Sequence, residues 1–401
     1  MAFSQAVSGL KAAATNLDVI GNNIANSATS GFKAGSASFA DIFAGSNVGM
    51  GTKVSSVFQN FNDGTPTLTN RGLDVAISQA GFFRLKDKAG NVVYSRNGQF
   101  TLTEDRKIVN ASGMVLTGYP ASGLPPTIKT GSAPVELSVP TTAMTASATN
   151  KGSLKVTLNS SYNPPSKSVF NPADVDSYND KTSMTVFDSL GNQHKLDIYF
   201  VKTDNNKWDV HPIDSTTGTV SPVTSLNFTT SGSIIGNSDI PINIGSLNGS
   251  AAGQTMTLSL QNSIQQNNGT KSTFGNPSQN GYAVGEMTSY QINDDGIITG
   301  NYSNGKTQPL GQIVLSNFSN VEGLKPEGNN VWSATSTSGQ ELVGVAGSGN
   351  LGTLKSGALE SSNVDLSDEL VKMIVAQRNY QSNSQTIKTQ DQILNTLVNL
   401  R

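Results

Sequence analysis

Cysteine is absent from the 401 residues. That excludes disulfides, thiolate zinc sites, iron–sulfur clusters and cysteine nucleophiles. Histidine occurs twice, at His194 and His211, which leaves little for a metal centre or a His-based triad. Charge is also scarce. Lys and Arg number 26 against 28 Asp and Glu, so 13% of the chain is charged and the net charge is −2, where typical soluble domains carry roughly 25% charged residues. No basic excess exists to track a phosphate backbone, which disfavours nucleic-acid binding. No apolar run approaches the ~18–20 residues of a membrane span, so no membrane insertion is expected. Met1-Ala2-Phe3-Ser4-Gln5 has neither a cationic start nor an apolar core with a cleavage site, so no secretory signal is readable.

Ser, Thr, Asn, Gln and 40 Gly take the place of the missing charge. Apolar residues stand at 35%, so this is not the composition of a highly charged disordered chain. A polar but nearly neutral surface associates readily. The length points to two or more domains.

Both ends read as helices. Phe3, Leu10, Leu17 and Ile24 fall seven apart, with Ala6, Ala13 and Ile20 three residues after the first three. This is the a/d pattern of a coiled coil, with small residues that admit a close neighbour. Ser4 is the expected N-cap, and the helix should end at or before Gly31. At the other end Leu366, Met373, Tyr380, Ile387 and Leu394 repeat every seven, widened by Leu370, Ile374 and Leu397. Asp365 is the expected cap there, with Asp368 at the third helical position. A helix from about Leu366 to Leu400 would be roughly 50 Å long. Its other faces carry Gln, Asn, Ser and Thr, so one seam is thin support for its length. The ends either pair with each other in one chain or need several neighbours.

Strand patterns fill the interior. Leu73–Ser78 alternates, Gly81–Leu85 leads through Lys88–Asn91 into Val92–Tyr94 as a hairpin, and Asn97-Gly98 reads as a tight turn. Met184–Phe187, Leu196–Val201 and Trp208–Ile213 read as a meander, flanked by Asn163-Pro164-Pro165 and Gly275-Asn276-Pro277 punctuation. Helices bracketing strands predict an α+β, mainly β chain with nested domains. Discontinuous N- and C-terminal coiled-coil helices would form an inner core (1–30 plus 364–401). A connecting segment (31–70 plus 346–363) would lead to an inner β domain (71–144 plus 284–345), with an outer β domain (145–283) inserted in it.

Catalytic patterns are weak. His194 and His211 lack an acidic or nucleophilic constellation of recognisable spacing and are expected at surfaces or turns. Asn293-Asp294-Asp295-Gly296 lacks the remaining ligands of a calcium loop and reads as a hairpin turn. Asp174 and Asp176 fall in a polar loop. No Walker loop, dinucleotide fingerprint or Gly-x-Ser-x-Gly elbow occurs. No catalytic residue, cofactor or metal ligand is assigned.

The blocks that carry identity lie elsewhere. Ser8-Gly9-Leu10, Leu17–Asn26 (with Asn22, Asn23 and Asn26) and Thr29-Ser30-Gly31-Phe32-Lys33 open the chain. Gly357–Glu360, Ser362-Asn363-Val364-Asp365, Glu369–Val371 and Ala376–Gln381 (with Gln377 and Arg378) close it, and Leu73–Leu85 with Ser95–Phe100 forms a third region. Together they resemble the bacterial flagellar rod and hook axial proteins. The large insertion of about Thr145–Ala283 resembles the hook members more than the shorter distal rod members, which remain the alternative. A secreted β-rich enzyme or adhesin with helical ends is a third reading.

The resemblance implies a non-enzymatic subunit of an extracellular structure continuous with the basal-body rod. It polymerises with itself into a curved hollow tube that transmits torque from rod to filament as a universal joint. Implied partners are the distal rod protein, the hook–filament junction protein, the hook cap, the hook-length control protein and the flagellar type III export apparatus. Phe39-Ala-Asp-Ile-Phe43 matches the export-gate pattern of such substrates, Phe39 and Phe43 being its aromatics. The seam residues Phe3, Leu10, Ala13, Leu17, Ile20, Ile24, Leu366, Leu370, Met373, Tyr380, Ile387, Leu394 and Leu397 are the expected polymerisation interface. The signature residues are Asn22, Asn23, Asn26, Gly31, Phe32, Asn363, Asp365, Gln377 and Arg378.

Overall fold

The computed structural model describes residues 2–43, 49–269 and 271–399, with the side chains of residues 2 and 397–399 outside that description. It has a long helix at each end and short strands between. Two compact units result: Met1–Pro140 with Ser289–Gly300 and Thr307–Arg401, and Thr141–Thr288 with Asn301–Lys306.

In the first unit, α1 spans Ala2–Ala25 and α2 spans Leu366–Asn399. Helix α1 starts at Ala2, so Ser4 lies in its first turn and is not its cap. It stops where short polar side chains claim helix carbonyls: Asn26 Nδ2 donates to Asn22 O and Ser27 Oγ to Ile24 O, each at 2.9 Å. Asp365 caps α2 as expected, accepting from the N–H groups of Ser367 at 2.9 Å and Asp368 at 3.2 Å. Asp368 and Glu369 add negative charge at the positive end of the helix dipole.

Strands β1 (Gly35–Asp41) and β2 (Thr52–Gln59) form an antiparallel ribbon of two strands. Such a ribbon is marginal alone, and it leans on α1 through Thr52 N–H to Ser8 Oγ at 3.2 Å. Strand β3 (Pro66–Leu68) pairs with Ala358–Glu360, and β4 (Val75–Ser78) pairs with Thr353–Ser356. The outgoing and returning chains are thus stitched together. Residues 73–77 are all buried, so the alternation expected for Leu73–Ser78 does not mark a solvated face.

The hairpin of β5 (Phe82–Lys86) and β6 (Val92–Ser95) forms as expected. The Asn97-Gly98 turn does not join paired strands. Strand β6 pairs with β5 and Val331–Ser333, while Phe100–Leu102 pairs with Ile108–Asn110. Gly98 is needed for close approach instead: an added Cβ would sit 1.7 Å from Val75 O. Phe82, Tyr94, Phe318, Leu324 and Trp332 form an aromatic-rich core with Phe61 against it. The Phe61–Phe82 and Phe82–Trp332 rings meet edge-on at 5.5 and 5.8 Å.

In the second unit the expected meander is present as Asp180–Phe187, Gln193–Asp204 and Lys207–Asp214. Smaller sheets built on Asp239–Ile244 with Gln254–Ser259 and on Val156–Asn159 share its core. Trp208 lies at 0% exposure in that core, its indole N–H donating to Gln265 Oε1 at 2.7 Å.

His194 corrects the surface expectation. It is fully buried, with Nδ1 2.7 Å from Asp214 Oδ2 and Nε2 3.3 Å from Asp188 Oδ2. The strand places it inward, and two carboxylates distant in sequence satisfy it. His211 is half-buried and stacks on Phe170 at 4.1 Å between centroids. Asn293–Gly296 is a turn, closed by Gly296 N–H to Asn293 O at 2.9 Å. Asp174 caps the short 3-10 turn Val175–Ser177 and pairs with Lys167. Among the described residues no cluster of three or more His, Asp or Glu could hold a metal ion. No described helix is long and apolar enough to cross a membrane.

Candidate assembly interface

The two terminal helices pair within one chain, antiparallel. Asn23 Nδ2 donates to Glu369 Oε2 at 3.0 Å. A Cβ added to Gly9 would fall 2.8 Å from Asn383 Oδ1. Asn23 and Gly9 are 14 residues apart, as are Glu369 and Asn383. Two heptads on one helix therefore match two on the other, and the same register sets Asn16 opposite Ala376. Ala6, Ala12 and Ala376 are buried, so small side chains do line this approach.

The expected seam on α1 is only partly buried. Ile20 is buried; Leu10, Ala13, Leu17 and Ile24 are half-buried; Phe3 is exposed. Ala12, outside the predicted seam, is buried. The reason is a second neighbour that periodicity did not show: the β1–β2 ribbon. A Cβ on Gly35 would lie 3.3 Å from Val19 Cγ1, and Asn23 both donates to Gly35 O and accepts from Gly35 N–H at 2.8 Å.

On α2 the expected stripe splits. Met373 and Ile387 are half-buried, on the side of buried Glu369 and Ala376. Leu366, Leu370, Ile374, Tyr380 and Leu394 are exposed, together with Val371, Val375 and Ile393. Leu370 is 46% exposed and Ile374 53%. Leu366, Leu370 and Ile374 follow one another at four-residue steps, so they form one outward apolar ridge. Only the backbone of Leu397 is described, and Leu400 lies outside the described residues.

The signature residues act mainly as joints. Asn22 and Asn26 bond each other at 2.9 Å. Asn363 Oδ1 accepts from Ala34 N–H at 2.8 Å, and its amide donates to Asn60 O and Asn62 O at 2.7 and 2.9 Å. Gly31 has φ 71° and no room for a Cβ, which would meet Asn97 N at 2.6 Å. Phe32 is half-buried; Gln377 and Arg378 are exposed on α2. Phe39 and Phe43 are both exposed, Phe39 on β1 and Phe43 just after it.

A buried ionic knot was not foreseen from the sequence. Glu360 Oε1 accepts from Lys33 Nζ at 2.7 Å and from Gly64 N–H at 2.9 Å. Glu360 Oε2 accepts from Arg96 Nε at 2.9 Å. Arg96 also reaches Asp63 Oδ1 at 2.6 Å and the carbonyls of Gln79 and Gly81 at 2.7 Å. Lys33, Arg96 and Glu360 are all nearly inaccessible. Burial, then the neighbouring Arg96 charge, lowers the Lys33 pKa, while Glu360 acts against both. One signal was available. In a chain short of charge, each of three separate signature blocks holds one of these ions.

Four family models match successive parts of the chain. Residues 4–33 match the model "Flagella basal body rod protein", and 355–400 match "Flagellar basal body rod FlgEFG protein C-terminal". Residues 76–156 match "Flagellar hook protein FlgE/F/G D1 domain", and 157–282 match "Flagellar basal body protein FlaE D2 domain". Paired terminal helices around β domains with these four matches define a flagellar axial protein of the rod-and-hook class.

The flagellar hook protein FlgE of Escherichia coli (strain K12) is 60% identical over 404 residues, covering 100% of both chains. That of Salmonella typhimurium (strain LT2) is 59% identical with the same coverage, and that of Borreliella burgdorferi is 33% identical over 98% of each. The chain belongs to the flagellar hook protein family, and it is a structural subunit of the bacterial flagellar hook. The crystal structure of Helicobacter pylori hook protein FlgE2 shares the fold, with a TM-score of 0.53 at 12% identity over 74% of this chain and 100% of that one.

Proposed function

We propose that this subunit polymerises with itself into a curved, hollow, extracellular tube that serves as a universal joint between rod and filament, without enzymatic activity. The observation that carries the reading is the outward ridge of Leu366, Leu370 and Ile374 on a helix already paired along a neighbouring face. Large apolar side chains in a row on a solvated helix mark a contact with another chain. In this reading α1 and α2 form the inner wall, and the predicted seam residues divide between two duties. Met373, Ile387 and Ile20 close the hairpin, while Phe3, Leu366, Leu370, Tyr380 and Leu394 meet neighbouring copies. The four nested segments expected from the sequence become the inner core, its connector and two outer layers.

The remaining partners follow from the same reading. The distal rod protein would stand below the tube, and the junction and cap proteins above it. The export apparatus and the length-control protein would act before assembly, with Phe39 and Phe43 offered to the export gate.

Leu370→Glu with Ile374→Glu tests the reading in the full-length chain. Polymerisation is followed by electron microscopy and the monomer fold by circular dichroism. Loss of tubes with an unchanged monomer spectrum is expected. Normal tubes from the double variant would overturn the assignment of the ridge.

A further inference from the structure

Asparagine precedes glycine five times, at Asn97, Asn248, Asn268, Asn280 and Asn304. The pair is chemically fragile, because glycine has no side chain to shield its amide nitrogen from the preceding carboxamide carbon. Four pairs are restrained. Gly98 is buried beneath the Val75 carbonyl. The Gly269 N–H donates to Asn267 Oδ1 and the Gly305 N–H to Tyr302 O, each at 3.0 Å. The Gly281 N–H donates to Gln279 Oε1, and the Asn280 amide itself holds Asn150 Oδ1 at 2.7 Å.

Asn248-Gly249 is different. Leu247–Ser250 forms a tight turn closed by Ser250 N–H to Leu247 O at 3.0 Å. Its central residues have φ of 53° and 84°, the left-handed pair that Asn-Gly favours. Both are exposed. Among the described residues the Gly249 N–H meets no acceptor, and nothing lies within 4 Å of where its Cβ would be. The Asn248 carboxamide makes one long contact, Nδ2 to Asn192 Oδ1 at 3.3 Å. Behind it, Asn192 Nδ2 donates to Asp188 Oδ2 at 2.8 Å and to Leu247 O at 3.1 Å. Asp188 Oδ2 in turn faces His194 Nε2 at 3.3 Å. Asn248 is thus the solvent end of a polar chain that runs into the interior.

We infer that Asn248 is a site of spontaneous covalent modification, deamidating through a cyclic imide, and that the change is felt at Asn192 and Asp188. The Gly249 nitrogen loses its proton to solvent base and bonds to Asn248 Cγ. The Cγ–Nδ2 bond breaks, and the nitrogen takes a proton from solvent and leaves as ammonia. One water then opens the imide at either carbonyl, giving aspartate or isoaspartate. A negative charge is added to a chain whose net charge is only −2. The new carboxylate faces Asn192 Oδ1, so acceptor meets acceptor. Asn192 can answer only by turning its amide outward, which withdraws a donor from Asp188.

The test is incubation of the full-length chain at mildly alkaline pH, followed by digestion and fragment-level mass spectrometry. A gain of about 1 Da, with isoaspartate, is expected at Asn248 several-fold faster than at Asn268, Asn280 or Asn304. Equal or slower conversion at Asn248 would overturn the site. Gly249→Ala should slow conversion several-fold, and an unchanged rate would overturn the route. The coupling is read separately by amide NMR. Asn248→Asp should shift the Asn192 side-chain resonances while Asn248→Gln leaves them near their original positions. Unmoved Asn192 signals in Asn248→Asp would overturn the coupling.

Discussion

Asn23 on α1 and Glu369 on α2 meet at 3.0 Å with both side chains buried, although 346 residues separate them in the chain. Asn23 also saturates Gly35 through paired bonds to its N–H and carbonyl. One amide therefore ties the N-terminal helix to both of its neighbours. Asn23→Ala should lower the stability of the helical pair by about 2–3 kcal/mol, since the buried polar groups it served lose their partners. Asn23→Asp should cost more, because it brings a second carboxylate to Glu369. Urea unfolding monitored by helical circular dichroism checks both, and equal midpoints for Ala and wild type would refute the tie.

The ionic knot makes a sharper prediction. Glu360→Ala leaves Lys33 and Arg96 as buried cations without their shared carboxylate. A loss of about 3–5 kcal/mol is expected from breaking a buried pair on one side. The chain contains its own reporters, since Trp332 belongs to the first unit and Trp208 to the second. In a Trp208→Phe background the Trp332 signal should unfold earlier with Glu360→Ala than without it. In a Trp332→Phe background the Trp208 transition should barely move.

Acid should act first through Asp188 and Asp214. Burial alone would raise the Asp188 pKa, but donors from Asn192, Ser250 and His194 outweigh it and hold the group at about 2, below the ordinary aspartate value of 3.8. Asp214 is shifted the same way: burial opposes, while Thr217, His194 and backbone N–H groups prevail. A depressed folded-state pKa gives stability that is present above the unfolded value of 3.8 and lost as pH falls toward 2. For Asp188 the amount is about 2 kcal/mol. Trp208 fluorescence should therefore report a steep fall in stability across that window, flattened in Asp188→Asn. A pH-independent midpoint there would contradict the assignment.

Gly9 faces Asn383 across the helical pair, and the obstructing atom is the end of a flexible side chain. Gly9→Ala alone should be close to neutral, as helix propensity favours it and Asn383 must move. In an Asn383→Ala background the same change should stabilise by about 1 kcal/mol. A double-mutant cycle by thermal unfolding measures the difference.

Truncation of the last ten residues removes Leu394 and Leu397 from the far end of α2. A folded monomer that no longer forms tubes is expected. Ala13→Asp, at a half-buried position of α1, should block assembly more than secretion. Equal loss of both, measured in culture supernatants, would instead tie this segment to export.

Much of this fold was legible because its helices announce themselves by period and cap. Asp365 is a local signal and caps α2 as expected, whereas the α2 heptad announced the helix but not which of its faces is buried. The β1–β2 ribbon was not legible as a neighbour of α1, since nothing in Gly35 or Thr52 specifies what lies beneath. His194 failed for a similar reason. Its carboxylate partners, Asp188 and Asp214, come from a turn and a strand end, so only the folded meander brings them together. The knot of Lys33, Arg96 and Glu360 was spelled out in three quoted blocks, yet long-range charge pairing has no spacing rule to reveal it.

That knot also sets an order of events. Lys33 and Glu360 are 327 residues apart, so their bond closes a loop that spans most of the chain. Loop closure at such separation is entropically expensive and slow. The second unit, drawn largely from one continuous stretch, shortens the effective loop once it has folded. The inserted unit should therefore fold first, which reduces the length of disordered chain between Lys33 and Glu360. Until residue 360 arrives, Arg96 has Asp63, but the carboxylate that bonds Lys33 and Arg96 together is missing. On that expectation the chain would be self-timed, its first and last segments locking after the middle has condensed.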